Sequence, residues 1–303
     1  MQALWMLVAA FFFASMGVCV KIASSDFSSA ELVFYRGVLG IFFMWALARY
    51  SGISLRTRYP MMHAWRSLVG VTSLGAWFYA IAHLPLATAM TLNYMSSVWV
   101  AAFLVGGALM AWRPTDPSSR PLLQGPLVLT VLAGFAGVVM MLRPSIEGDQ
   151  MFAALVGLLS GMSAAFAYMQ VMALSRAGEP ETRTVFYFAV GSALAGALGM
   201  GVTGVSPLHW PSALWLLPIG VLASLGQLCM TRAYASARNQ RGTLLVANLQ
   251  YSGIVFAGLY SVWLFGDQLP LIAWAGMALI VASGVAATVL RGKAAPNAPA
   301  EEH

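Results

Sequence analysis

The chain has 303 residues, of which 60% are hydrophobic and only 9% charged, with a mean hydropathy of +0.78. About a quarter of an ordinary soluble domain is charged, so composition excludes that class and places the chain in a bilayer. The net charge of +6 and pI near 9.6 do not signal nucleic acid, because the basic residues stand singly in short loops with no basic stripe or interleaved aromatics.

A helix needs about 20 apolar residues to cross a hydrocarbon core of about 30 Å, and ten stretches meet that length. The first, Ala3 to Ile22, lacks the basic n-region and short apolar core of a signal peptide and is expected to stay as a span. Leu32 to Arg49 follows and contains Arg36. Ala64 to His83 holds Trp77 and Tyr79, Leu86 to Trp112 holds Asn93, Tyr94 and Ser97, and Gly125 to Arg143 closes the first half. The second half gives Phe152 to Ser175, Val185 to Val205, Ala213 to Ala235, Thr243 to Phe265 and Leu271 to Leu290. These segments are too long for tilted barrel strands, and a helix satisfies its own backbone groups in lipid, so the expected class is an all-α polytopic membrane protein. Gly292 to His303, an Ala/Pro-rich tail, is expected to be disordered. Cys19 and Cys229 fall inside apolar runs, as small buried hydrophobes rather than disulfide partners or metal ligands.

With the N-terminus inside, Arg49, Arg56, Arg58, Arg66, Arg113, Arg120, Arg176, Arg183, Arg232, Arg238, Arg241, Arg291 and Lys293 fall at cytoplasmic ends, against Lys21, Arg36 and Arg143 outside. That bias is what the positive-inside rule gives for an even number of spans with both termini cytoplasmic.

Val33-Phe34-Tyr35-Arg36 recurs as Val185-Phe186-Tyr187-Phe188, and Leu92-Asn93-Tyr94 as Leu249-Gln250-Tyr251, in the same order along the chain. Each copy holds five spans, residues 1–145 and 146–291, leaving 292–303 as the tail. Five is odd, so the second copy enters the membrane inverted, the arrangement found in many secondary transporters.

Phe78-Tyr79-Ala80, Leu84-Pro85-Leu86-Ala87-Thr88-Ala89, Asn93-Tyr94, Gly137-Val138 and Leu142-Arg143-Pro144 resemble in order the EamA half-repeat of the drug/metabolite transporter superfamily. Ala233-Tyr234, Gln250-Tyr251 and Leu264-Phe265-Gly266-Asp267 resemble its second copy, with Asp267 where a terminal Glu is usual. Within the superfamily the chain is most similar to the YddG-type exporters of aromatic and other amino acids, sharing Asn93-Tyr94. The resemblance implies a secondary exporter in a bacterial cytoplasmic membrane, with lipid and a small solute as its partners.

Intramembrane polar residues mark a pathway in such proteins. Asn93 and Ser97 lie four apart on one helical face beside Tyr94, and Asn248 and Tyr251 lie three apart in the matching span. They either line a central cavity or bond across helix contacts. Matching by the repeat favours the cavity for the two tyrosines. Ser160, Ser163, Ala167 and Gln170 form a small, polar stripe that suits close packing or a cavity wall. Gln227 faces the same way as Met230 and Tyr234, and Pro218 upstream is a candidate kink. Trp77, Tyr79, Trp5, Phe12 and Met16 offer rings and a thioether to an apolar side chain. Arg36 has three readings: pairing with Glu31, snorkelling, or attracting a substrate carboxylate; the first two are the more usual fates. Lys21 stands in the same position with Asp26. His63, His83 and His209, at span ends, are expected in solvent.

No Asp or Glu lies deep in a span, which disfavours proton-coupled efflux of cations. No Ser/His pair, metal cluster or phosphate-binding loop stands out either, so neither catalysis, a cofactor nor ATP drive is expected. The alternatives are multidrug or metabolite efflux of another solute class and, behind it, a non-transporting receptor or scaffold; nothing in the sequence sets the oligomeric state.

Overall fold

The computed structural model describes residues 2–96, 98–99, 102–103, 125–142, 148–207, 210–236, 246 and 248–294. Arg113, Arg120, Arg143, Arg238, Arg241, His209 and Ser97 lie outside them. Among the described residues every regular element is helical: α1 (Gln2–Ala23), α2 (Ser29–Tyr50), α3 (Pro60–His83), α4 (Leu86–Asn93), α5 (Gly125–Leu142), α6 (Gly148–Arg176), α7 (Glu181–Thr203), α8 (Leu216–Ala235, led in by a short turn of helix at Trp210–Ala213), α9 (Ser252–Phe265) and α10 (Leu271–Ala294). α10 extends three residues into the tail expected to be disordered. Gln2–Ala23, Ser29–Tyr50, Gln150–Arg176, Glu181–Thr203 and Trp210–Ala235 are long and apolar enough to cross a membrane. Phe42, Leu198 and Trp263 are among the large apolar side chains exposed on the outside of the bundle, where lipid replaces water as solvent.

Local signals set the helix ends. Ser28 and Glu31 form a reciprocal capping box at the start of α2. Pro60 opens α3, where its missing N–H is no loss. Gly266 closes α9 with φ of 64°, in the left-handed region open to glycine.

Four helix pairs dominate the packing: α2 with α7, α3 with α6, α1 with α8, and α5 with α10. Their contacts run in opposite residue directions, so each pair is antiparallel. In the α2–α7 seam Gly37 meets the backbone at Ala193 and at the Ala189 carbonyl, and Gly196 meets the backbone at Phe34. A Cβ on Gly37 would lie 2.9 Å from the Ala189 oxygen and 2.8 Å from the Ala193 Cα. Helix association in lipid rests on such close approach, because lipid tails are as apolar as leucine. Gly137 plays the same part between α5 and α10, against the Gly276 carbonyl and Ile280.

The fourth and ninth spans were expected to be continuous helices. Both are interrupted, at Tyr94–Met95 and at Gln250–Tyr251, each break including the tyrosine, Tyr94 or Tyr251, that the repeat pairs. At the first break Met95 donates to Leu92 at 3.3 Å; at the second Tyr251 donates to Asn248 at 3.2 Å. These three-residue bonds tighten the backbone in place of α-helical ones. Gly161 of α6 packs directly onto the Leu92 carbonyl, so a neighbouring helix covers the first break.

Candidate functional site

A central cavity of about 50 Å³ lies where α1, α3, α4, α6, α7 and α8 meet. Trp77, Asn93, Tyr94, Tyr168, Gln227 and Met230 contribute to its wall, and Arg66, Phe188 and Phe13 complete its polar and aromatic character. Volume of this order holds a few waters, well below the roughly 300 Å³ at which small-molecule pockets begin.

Arg66 was expected at a cytoplasmic end. Instead α3 begins four residues before the expected start, and Arg66 is 3% exposed with its guanidinium turned along the helix over Gly70. That places the charge about 15 Å from the first residue of α3, at 1.5 Å per residue. Its guanidinium carbon lies 4.2 Å from the centre of the Phe188 ring, and that of Arg36 lies 4.9 Å from the same centre. Arg36 neither snorkels nor pairs with Glu31, which corrects the more usual fates: it is 4% exposed and donates to the Ser192 hydroxyl at 3.2 Å. Glu31 accepts instead from the Ser206 backbone N–H and hydroxyl, each at 2.7 Å. A narrow gap beside Arg36 shares Phe188 and Gln227 with the main cavity.

Gly70 is what lets Arg66 curl inward. A Cβ there would overlap the guanidinium Nη1, the mobile end of a long side chain, and would lie 2.8 Å from the buried Phe188 ring. Gly70→Ala is therefore expected to displace the Arg66 charge and shift the Phe188 ring, with about 1 kcal/mol of gained helix propensity set against about 1–3 kcal/mol of overpacking. Thermal unfolding and solute binding on the same preparation separate the two effects.

The remaining polar groups are tied between helices. Asn93 donates to Ser160 at 3.1 Å, and Ser160 donates to the Gly157 carbonyl at 2.6 Å. Ser73 donates to the Ser160 carbonyl. Gln250, at the second break, donates to the Tyr168 hydroxyl at 2.6 Å and accepts from Tyr234 at 3.4 Å. The Tyr94 ring lies across Gly253 of α9, and neither its hydroxyl nor the Trp77 indole N–H has a hydrogen-bond partner among the described residues.

Both ends of the bundle are bridged. At the face bearing the α2–α3 and α6–α7 connections, Glu179 accepts from Thr57 at 3.1 Å, pairs with His63 at 3.0 Å and receives Arg183 Nη1 on both of its oxygens at 3.1 Å. Arg183 also donates to the Ser54 carbonyl, and Tyr187 to that of Leu55. His63 was expected in solvent; it is 2% exposed and stacked on Tyr187. His83 is exposed, as expected. At the opposite face Ser206 and Ser212 donate to Glu31 and Asp26, and Lys21 donates to the Leu84 carbonyl at 2.6 Å rather than pairing with Asp26.

Of the residues singled out from sequence, Trp77, Asn93, Tyr94 and Gln227 come together on the cavity wall. Tyr251 packs its ring against Gly284 of α10, Asn248 is half-buried, and Ser163 is buried in α6, none of them among the lining residues. Tyr79 meets His83 and Phe152 away from the cavity. Trp5 faces Arg232, and Phe13 rather than Phe12 or Met16 lines the wall. Sequence reasoning missed Arg66, Tyr168 and Phe188 as site residues. Gly70, one helical turn beyond Arg66, was the available signal.

A multi-pass helical bundle with a polar, aromatic cavity in its interior is the build of a membrane transporter, and known proteins agree. The model of the EamA-like transporter family matches residues 1–107. The chain is 34% identical to the pseudopaline exporter of Pseudomonas aeruginosa, over 92% of this chain and 93% of that protein. It is 27% identical to a riboflavin transporter of Rhizobium johnstonii, over 93% and 89% respectively. A solved crystal structure shares the fold, with a TM-score of 0.64 at 18% identity over 97% of this chain and 98% of that one. The chain belongs to the EamA-like transporter family.

Proposed function

We propose that the protein is a secondary transporter that exports amino acids, aromatic and other neutral ones, or related small metabolites from a bacterial cytoplasm. The cavity lined by Tyr94, Trp77, Asn93 and Gln227 carries this proposal, since it combines hydrogen-bonding groups and aromatic faces deep inside the bundle. Residues 1–145 and 146–291 are the two halves, inverted relative to each other, with both termini cytoplasmic and 292–303 as a tail. Exchanging α1–α5 with α6–α10 turns the α1–α8 pair into the α6–α3 pair and maps α2–α7 and α5–α10 onto themselves. All four are dominant contacts and all are antiparallel, which supports inversion. Interrupted helices at matched positions support it too, since discontinuous helices recur at transporter sites. Bridges at both ends of a small cavity correspond to a closed intermediate of alternating access, with one end opening at a time.

Counterflow of labelled amino acids in proteoliposomes tests this. Flux above empty vesicles is expected for at least one member of the panel, and Tyr94→Ala is expected to reduce it at least tenfold, about 1.4 kcal/mol. Tyr251→Ala, whose ring braces α10, is expected to affect stability more than selectivity. No flux with any amino acid would refute amino-acid export. The riboflavin-transporting relative motivates the second reading, a neutral heterocyclic cargo, and riboflavin belongs in the panel.

A further inference from the structure

The two buried arginines are not explained by packing. Removing a guanidinium from water costs several kcal/mol even after relaxation, whereas a cation–π contact returns about 0.5–2 kcal/mol. Among the described residues Arg36 has one neutral hydroxyl as a hydrogen-bond partner. The Nε and Nη1 of Arg66 and the Nε of Arg36 are buried with no hydrogen-bond partner, and neither side chain meets a carboxylate among the described residues. A deficit of this size at the wall of a cavity is expected when the missing partner arrives with a ligand. A planar guanidinium with two free N–H donors matches the two oxygens of a carboxylate.

We propose that Arg66 is the anion subsite of the transport cavity, reinforced by Arg36 behind the Phe188 ring, and that the cargo bears a carboxylate. This rests on the central cavity being the transport site. Trp77, Tyr94 and Tyr168 then take the body of the solute, and Asn93 and Gln227 its remaining polar groups. Phe188 and Gln227 line both the Arg66 cavity and the gap beside Arg36, so movement of these side chains would bring both charges to a larger or doubly charged anion. A cation without a carboxylate is repelled by both.

The test uses the purified full-length protein with L-phenylalanine, N-acetyl-L-phenylalanine, succinate, L-phenylalaninamide, phenethylamine and riboflavin at millimolar concentrations. Binding is read by thermal stabilisation and, separately, transport by counterflow. At least one carboxylate is expected to stabilise the protein, and the amide and the amine are expected to bind at least about tenfold more weakly than the matching acid. Arg66→Gln is expected to abolish this preference and Arg66→Lys to keep part of it. The wild-type panel decides the matter even if a variant fails to fold. Equal binding of acid and amide, tighter binding of riboflavin than of any carboxylate, or no stabilisation by any carboxylate would overturn the anion subsite. Carboxylate binding without counterflow would leave the subsite standing and remove transport; counterflow of the amine equal to that of the acid would do the reverse.

Discussion

Gly37→Leu is expected to prevent α2 and α7 from closing on each other, with a large loss of stability. The Cβ of residue 37 would fall against the backbone at Ala193 and 2.9 Å from the Ala189 carbonyl oxygen. Backbone atoms of a packed helix do not yield as a flexible side chain does. Overpacking in a well-packed interior costs about 1–3 kcal/mol, and leucine adds a branched group beyond the Cβ, so the upper end applies. Size-exclusion profiles in detergent should show loss of the monodisperse species, with the thermal midpoint lowered in whatever remains. Gly201→Leu is the control, because a Cβ there meets nothing within 4 Å. An unchanged midpoint for Gly37→Leu would show that the seam is looser than its geometry indicates.

Glu179→Ala is expected to unlatch the face where the α2–α3 and α6–α7 connections meet. One carboxylate there gathers Thr57, His63 and Arg183, and its removal leaves three donors facing each other at a poorly exposed site. Loss of one partner from such a network costs about 3 kcal/mol. A single cysteine at Ala164 on the cavity wall should react faster with an impermeant thiol reagent applied from that face, because the bridge that holds it shut is gone. Acid should mimic the substitution. Burial raises the Glu179 pKa, but bonds from His63, Arg183 and Thr57 and the Arg183 charge outweigh it, so the folded value lies below the ordinary 4.5. The stabilisation is therefore fully present above the unfolded value, constant through neutral pH, and lost as pH falls through the lowered folded value. Thermal midpoints of wild type and Glu179→Ala should differ at pH 7 and converge under acid; a constant gap would place the stabilisation elsewhere.

Helix formation was legible because apolar runs of membrane length permit little else in lipid. The repeat exposed Tyr94 and Tyr251 as counterparts, yet only Tyr94 reaches the cavity, since Gly284 gives the other ring a groove in α10 that sequence spacing does not reveal. The breaks at Tyr94–Met95 and Gln250–Tyr251 were not legible because neither contains glycine or proline. At the first, Gly161, far along the chain, packs onto the Leu92 carbonyl. His63 looked like surface because its partner, Glu179, is brought to it only by the α3–α6–α7 arrangement. Arg66 looked interfacial because hydropathy alone delayed the start of α3 to Ala64, although Pro60 marks it. Long side chains compounded the error: a charge sits several ångströms from the Cα that locates it in a sequence.

Two positive charges inside the bundle would also make the unloaded carrier of the proposed cycle sensitive to voltage. One elementary charge moving through the membrane potential is worth about 2.3 kcal/mol per 100 mV. An interior-negative cell thus biases the unloaded site toward the cytoplasm, whereas a bound anion cancels part of the charge and lessens that pull. For a cargo of net negative charge, the membrane potential would favour resetting of the unloaded exporter more than it opposes outward passage of the loaded form. Arg66 and Arg36 would then set not only which solute boards but also the direction in which the cycle runs.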